Sequence, residues 1–377
     1  MLKSSAYYFF VLFVLFLGIR QMDVAAQCPF DYNMDGTVNY DGDFIIHLGQ
    51  FGMTEADLEE GEELFTDHNQ NGVSDFRDLL GLTEHLGTLS CLESLPWEDC
   101  SNDLVLETYE VHTNGFSDDY SAIPPGSVTY RLFLATAFTN SDLSGVYGDS
   151  LSPMWISCPT GIFQHPFGGG MALDVNPDIL TIAPAAKYTS FLSMGSWFDS
   201  CDPNFGYLIE WSEDNWYNQF LSGSGFTINS PIGGGMVGSA PLTTCEPVVP
   251  GLIFLGQFTV IGSMEISGSL NIQLRDYQGF STEPSVCQME GLTFNSENAQ
   301  IFGCINTEAM NFDPMATFDD SSCVAYGDFN GDGEVDVADV LQFLNEFGCV
   351  LDCSYSDLNG DGVVNVFDLL LLLGYLG

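Results

Sequence analysis

Four short stretches of this chain place side-chain oxygens at alternate positions and follow them with a glycine. They are Asp31-Tyr32-Asn33-Met34-Asp35-Gly36, Asp67-His68-Asn69-Gln70-Asn71-Gly72, Asp328-Phe329-Asn330-Gly331-Asp332-Gly333 and Asp357-Leu358-Asn359-Gly360-Asp361-Gly362. Carboxylate and amide oxygens in this rhythm suit a hard divalent cation, and the glycine permits the sharp turn that a calcium loop makes at its sixth residue. A complete loop runs for twelve residues, with oxygens at positions 1, 3, 5 and 9, a main-chain carbonyl at 7 and a carboxylate at 12.

Three copies fill every position. The second offers Asp67, Asn69, Asn71, the carbonyl of Val73, Asp75 and Asp78. The third offers Asp328, Asn330, Asp332, the carbonyl of Glu334, Asp336 and Asp339. The fourth offers Asp357, Asn359, Asp361, the carbonyl of Val363, Asn365 and Asp368. The first departs, because Gly42 stands at position 12 between Asp41 and Asp43. Its ligands are read as Asp31, Asn33, Asp35, the carbonyl of Thr37, Asn39 and, through a one-residue insertion, Asp43. Position 8, where paired loops bridge through their backbones, holds Val38, Val335 and Val364, but Ser74 in the second copy.

An apolar helix is expected after each loop. Val340, Leu341, Leu344 and Phe347 keep one helical face dry, and Leu369 to Leu373 is apolar nearly all round, as for a helix buried against a partner. The residues leading into Asp328, Cys323-Val324-Ala325-Tyr326-Gly327, read as a linker and not as the entering helix of an ordinary EF-hand, and position 12 is Asp where EF-hands carry Glu. A duplicated loop-plus-exiting-helix with these features resembles the type I dockerin module, closely over 328–377 and less closely over 31–87. The resemblance implies that the pair binds two calcium ions and that its helices dock onto a cohesin-like protein. In that family the recognition residues sit around loop positions 10 and 11, often with a hydroxyl; here those positions hold Val337-Ala338 and Val366-Phe367. The plainer alternative is a set of calcium staples without a partner.

The rest of the sequence sets the compartment. Lys3, an apolar run of fourteen residues from Ala6 to Ile19, and Val24-Ala25-Ala26 before Gln27 form a secretory signal peptide, residues 1–26. No later stretch is long and apolar enough to suggest a membrane span. Eleven cysteines suit an oxidising, extracellular or cell-surface location. Spacing suggests Cys304 with Cys323, Cys349 with Cys353 and Cys91 with Cys100, and an odd total leaves one thiol over, Cys28 being the first suspect. The chain has 6 Lys+Arg against 52 Asp+Glu, and residues 27–377 retain 4 against 51, a formal charge of −47. Such a surface is a poor match for nucleic acid or anionic membranes.

Between the loop pairs the chain reads as strands. Val128–Phe138, Met154–Phe163, Tyr188–Trp197, Leu252–Ile261 and Met264–Arg275 lie between Gly, Pro, Asn and Ser clusters. In the last, Met264, Ile266, Leu270, Ile272 and Leu274 largely alternate with Glu265, Ser267, Asn271 and Gln273, which predicts one buried and one wet face. Trp197, Trp211, Trp216 and Tyr217, with Asp199, Glu210, Glu213 and Asp214 nearby, suggest a sugar-stacking platform, against the plainer reading of aromatic packing. His165 in a glycine-rich loop has no nucleophile motif beside it and reads as structural. Val146-Tyr147-Gly148-Asp149 and Gln164–Asn176 loosely resemble a β-domain of secreted Bacteroidota surface proteins. Cys304 to Cys323 reads as a rigid spacer whose Asp313, Asp319 and Asp320 are candidate cation ligands.

The expected architecture is mainly β with small α modules. After the signal peptide come an N-terminal dockerin-like pair (27–90), a central antiparallel β-sandwich (91–302), a spacer (303–325) and a C-terminal dockerin-like pair (326–377). The expected function is a secreted, calcium-stabilised binding or scaffold protein with a cohesin-like or other extracellular protein partner and a possible glycan ligand. The alternatives are an extracellular polysaccharide-degrading enzyme, or accessory subunit, with its site in the sandwich, and a purely structural, calcium-stiffened adhesin segment.

Overall fold

The computed structural model describes residues 29–33, 37–59, 62–86, 95–96, 102–136, 141–195, 206–209, 214–238, 249, 251–276, 285–350 and 356–376. The expected signal peptide, Cys28, Asp35, Trp197, Asp199, Glu210, Trp211, Glu213 and the expected Cys91–Cys100 pairing lie outside the described residues.

The fold is mainly β, built on two sheets. The larger has eight strands, ordered Leu95–Pro96, Ser285–Asn295, Ser267–Asp276, Ser141–Gly148, Gly234–Gly238 and Gly206–Ile209, with Met154–Ser157 and Phe226–Ile228 branching from Ser267–Asp276. The smaller has four, ordered Asp103–His112, Ser127–Ala135, Leu252–Val260 and Phe191–Leu192. Within these two sheets every pairing is antiparallel except that of Leu95–Pro96 with Ser285–Asn295. One apolar core takes Val128, Tyr130 and Leu132 from the smaller sheet and Val146, Ile272 and Leu274 from the larger, so each sheet buries a face against the other. Among the described residues five α-helices accompany them: α1 (Ile45–Gln50), α2 (Phe76–His85), α3 (Trp216–Leu221), α4 (Val337–Asn345) and α5 (Val366–Tyr375).

Four of the expected strands are shorter than the sequence suggested. Val128–Phe138 becomes Ser127–Ala135, Met154–Phe163 stops at Ser157, Tyr188–Trp197 reduces to Phe191–Leu192, and Met264–Arg275 starts only at Ser267. The greater difference concerns faces. Asn271, Gln273 and Arg275, on the side expected to be wet, are fully buried. Asn271 donates to the carbonyls of Tyr147 and Ser152. Gln273 donates to the Leu80 carbonyl at 3.3 Å and the Thr83 hydroxyl at 3.2 Å, and Arg275 to the carbonyls of Thr83 and Leu86. At Gln273 and Arg275 the polar face of this strand is covered by α2, and Arg275 satisfies carbonyls at the helix's C-terminal end, where a cation is also favoured by the helix dipole.

The helix modules pack differently. Around α1 and α2, Phe30, Val38, Phe44, Phe76, Leu79 and Leu82 join Tyr147 and Val237 of the larger sheet in one cluster. Around α4 and α5 a separate small core gathers Phe343, Leu358, Val364 and Leu372. Between the sheets and this last module, Cys304 and Cys323 form the expected disulfide, S–S 2.05 Å. Cys349 and Cys287 are also disulfide-bonded, to residues outside the described set, and Cys158 is a buried free thiol. Phe302 and Phe318 stack at 4.5 Å, and Phe302 stacks in turn on Phe133, fixing the spacer to the smaller sheet. Among the described residues no helix is long and apolar enough to cross a membrane.

Candidate metal centres

The complete loops share one wiring diagram. The carboxylate at position 1 accepts two main-chain N–H groups: Asp67 from Asn71 and Gly72, Asp328 from Gly331 and Gly333, Asp357 from Asp361 and Gly362. Position 3 accepts from the N–H of position 5, as Asn69, Asn330 and Asn359 do, and position 5 from that of position 7, as Asn71, Asp332 and Asp361 do. The closing carboxylate reaches back across the loop. Asp78 Oδ1 accepts from His68 and Asn69, and its Oδ2 from Asp75. Asp339 does the same with Phe329, Asn330 and Asp336, and Asp368 with Asn359 and Asn365.

Positions 9 and 12 also start the exiting helix. Asp75, Asp336 and Asn365 are the N-caps of α2, α4 and α5, and Asp78, Asp339 and Asp368, three residues on, complete a capping box with each. Satisfying the first-turn N–H groups is what lets a helix begin there. The oxygen spacing that fits a cation is therefore the spacing that launches the helix.

In the first loop an inserted residue is absorbed by a π-type turn. Tyr40–Phe44 winds with the Phe44 N–H, five residues on, reaching the Asn39 carbonyl at 3.1 Å. This swings Asp43 into the closing position. Its Oδ1 accepts from Tyr32 at 2.7 Å and Asn33 at 3.2 Å, and its Oδ2 from Asn39 at 2.9 Å, the same three contacts that Asp78 and Asp339 make. Gly42, bypassed by the turn, lies so close that a Cβ there would come 2.2 Å from the Asn33 side-chain nitrogen. Asp31, Thr37 and Asn39 lie in the same loop, partly buried.

The expected bridge between position-8 residues is replaced by another contact. In the N-terminal pair Ser74 exchanges N–H···O bonds with the segment leaving α1, Gly52 N–H to Ser74 O at 2.7 Å and Ser74 N–H to Met53 O at 2.9 Å. In the C-terminal pair Val364 does the same after α4, with Gly348 at 2.8 Å and Cys349 at 3.0 Å. Ser74 lacks the apolar side chain of its counterparts, and its buried hydroxyl is instead satisfied by Thr66 at 2.7 Å.

Chemistry decides whether a cation fits. Among the described residues no three His, Cys, Asp or Glu side chains converge as a ready metal cluster; the loop donor sets draw on amide and main-chain oxygens as well. Their electrostatics are short of positive charge. Burial pushes the Asp78 carboxyl up to about 6 against the pull of the Asp75 and Asn69 N–H groups, with Asp75 and Asp67 adding like charge. Burial raises Asp75 as well. At Asp339 burial also pushes upward, but the N–H groups of Asp336, Asn330 and Phe329 outweigh it and hold the carboxyl below its usual range. An all-oxygen set around buried closing carboxylates fits calcium, which when bound supplies two positive charges there.

Other predicted residues are placed as follows. Trp216 is fully buried and packs on Phe226, so it is a core residue and not a sugar platform; Tyr217 beside it is partly buried. His165 donates through Nε2 to Asp118 at 3.2 Å and accepts the Phe167 N–H at Nδ1, with both side chains buried, a structural tie between two loops. Asp313, Asp319 and Asp320 each accept a main-chain N–H two residues ahead, from Met315, Ser321 and Ser322. Missed from the sequence were the cover that α2 gives the large sheet and the open faces of α4 and α5. The run Leu369–Leu373, expected to be buried, leaves Leu370, Leu371 and Leu373 exposed.

Residues 326–377 match the dockerin type I domain family. The C-terminal pair thus carries the signature of a calcium-binding family. No curated protein and no solved structure matches the chain.

Proposed function

We propose that this protein is a secreted, calcium-dependent attachment subunit whose C-terminal pair docks onto a cohesin-like extracellular protein, with the two-sheet body, read as a β-sandwich, as its cargo. The observation that carries the reading is the open apolar surface on a dockerin-matched pair: Val337, Leu341, Val366, Phe367 and Leu370 are all exposed, while Asp339 and Asp368, which close the two loops, are buried. Exposed contiguous apolar surface on a soluble protein marks an interaction site. Val366-Phe367 replaces the hydroxyl-bearing pair usual in the family, so the receptor's matching surface is apolar.

In this reading Asp328, Asn330, Asp332, the Glu334 carbonyl, Asp336 and Asp339 hold one ion, and Asp357, Asn359, Asp361, the Val363 carbonyl, Asn365 and Asp368 the second. The N-terminal pair is a further dockerin-like module. Asp67, Asn69, Asn71, the Val73 carbonyl, Asp75 and Asp78 hold an ion there, and Asp31, Asn33, Asp35, the Thr37 carbonyl, Asn39 and Asp43 another. The wiring common to the loops supports this reading.

The test uses the full secreted chain on immobilised cohesin modules, with polysaccharides as parallel ligands. Binding in millimolar calcium, abolished by EGTA and by Leu370→Arg, is the expected result. A chain that takes up no calcium, or a cohesin bound equally in chelator, overturns the reading. Retention on a glycan or release of reducing sugar would transfer the function to the two-sheet body.

A further inference from the structure

The two second helices can be aligned through the carboxylates that close their loops, Asp78 and Asp368. Counted from there, Phe76, Arg77, Leu80 and Thr83 of α2 occupy the helix face that Val366, Phe367, Leu370 and Leu373 occupy in α5. In α5 those four side chains are 51%, 65%, 60% and 45% exposed, while Phe76, Leu80 and Thr83 of α2 are 0%, 2% and 0% exposed. One face of one motif is open in the C-terminal copy and closed in the N-terminal copy.

What closes it is the chain's own larger sheet. Phe76 stacks on Tyr147 at 5.9 Å and donates its N–H to the Ile232 carbonyl. Leu80 lies over Gly145, where an added Cβ would come 2.5 Å from the Leu80 side chain, so the glycine makes room for the helix. Gln273 and Arg275 reach up to the carbonyls of Leu80, Thr83 and Leu86. Arg77 leaves the helix in the other direction to Asp149, Ser152 and Glu290. Four Lys and Arg residues follow position 26, and two of them, Arg77 and Arg275, lie at this seam. In a chain so short of cations that allocation is not what a loosely tethered module requires.

We propose that the N-terminal pair is docked in cis: the helix face that its C-terminal counterpart leaves open is permanently occupied by the body's own sheet. The first pair is thus a clasp on the sheet, and each molecule presents one free docking face, that of α4 and α5. The clasp rests on the seam itself and stands whether or not the C-terminal pair has a receptor.

Hydrogen–deuterium exchange on the full secreted chain in calcium tests it. The amides of α2 are expected to open with those of Ser141–Gly148 and Ser267–Asp276 as one slow unit, and α5 to exchange on the order of 100-fold faster. Leu80→Arg buries a charge in the seam and is expected to speed exchange in α2 and both strands together and to lower the melting temperature by roughly 10 °C. Leu370→Arg is expected to change neither. Exchange of α2 at the rate of α5 while the strands stay protected overturns the proposal, as does a Leu80→Arg chain with unaltered strand protection. Should that variant fail to fold, the wild-type rates alone decide.

Discussion

The two loop pairs are wired alike and situated differently. In both, a position-12-type carboxylate ties the loop's start to its end, and the second loop hydrogen-bonds to the segment leaving the first helix. In the N-terminal pair the second helix is closed over by the large sheet, whereas in the C-terminal pair it faces solvent with six apolar side chains from Val366 to Tyr375. The wiring is local chemistry and sets the motif. What the motif is for depends on the helix-face residues on either side of the closing carboxylate, where Arg77 and Thr83 suit a polar seam with a sheet and Phe367 and Leu373 suit an apolar receptor. The comparison teaches that a calcium-loop signature counts modules but does not count docking faces.

Cutting each core tests the comparison most severely. Leu372→Ala removes a fully buried side chain from a core in which Phe343, Leu358 and Val364 are the other buried members. A loss of about 3 kcal/mol is expected, enough to unfold the C-terminal pair while the main melting transition stays put. Leu82→Ala deletes a similar side chain from the N-terminal cluster, but its cost should appear in the main transition of the body, since Tyr147 and Val237 share that cluster. Calorimetry resolving one transition or two distinguishes the outcomes; an independent low-temperature transition for Leu82→Ala would break the comparison.

The inserted turn is the next largest effect. Gly42→Ala would place a methyl group 2.2 Å from the Asn33 side-chain nitrogen, and a cost of about 2 kcal/mol with a weakened first-loop cation site is expected. Calcium titration by calorimetry should show one weakened site of the four, and an unchanged isotherm would contradict the role given to Asp43.

A pH difference follows from one substitution of core type. Counted from Asp43 and Asp339, His47 stands where Phe343 stands in the other pair. It is buried, with Nδ1 3.0 Å from the Tyr32 hydroxyl and Nε2 without a partner. Burial, with His68 nearby adding to it, pushes it down to about 3 from an ordinary 6.5. The unfolded chain takes up a proton that the folded chain refuses, so stability is complete above about 6.5 and drains as pH falls toward 3. The loss at pH 5 is about 2 kcal/mol. Residues 326–377 contain no histidine. Melting of His47→Phe against pH should lose part of its acid slope relative to the parent; identical slopes would contradict the buried neutral imidazole.

The smallest effects concern the helix faces. Arg77→Gln should cost about 1 kcal/mol through its partly buried bridge to Asp149 and Glu290. Phe367→Ser, on an exposed position, should leave stability within about 0.5 kcal/mol and lower receptor affinity roughly tenfold. Thermal melts paired with binding assays check both, and a stability loss at Phe367 exceeding that at Arg77 would invert the comparison.

The wiring of the complete loops was legible in the sequence because its determinants are consecutive residues. Each side-chain oxygen of the rhythm also accepts a main-chain N–H of its own loop, and Asp328 or Asp357 can be read without knowing anything distant. The first loop was half legible: Gly42 at a carboxylate position announced a departure, but the π-type turn that carries Asp43 back depends on backbone geometry. The sheet strands were visible from alternation, yet the destination of Asn271, Gln273 and Arg275 was not. Polar side chains on an alternating strand predict water when no helix is in view; here the partners are carbonyls of residues 119 to 193 positions away. Trp216 misled in the opposite sense, because nearby acids say nothing of burial.

The most direct test of the account is exchange at both second helices before and after exhaustive EGTA dialysis of the full chain. The account predicts that α5 loses its protection when calcium leaves while the strands Ser141–Gly148 and Ser267–Asp276, clasped by α2, keep most of theirs. Protection of α5 that survives chelation unchanged would contradict it, because the loops would then hold their shape without the ion.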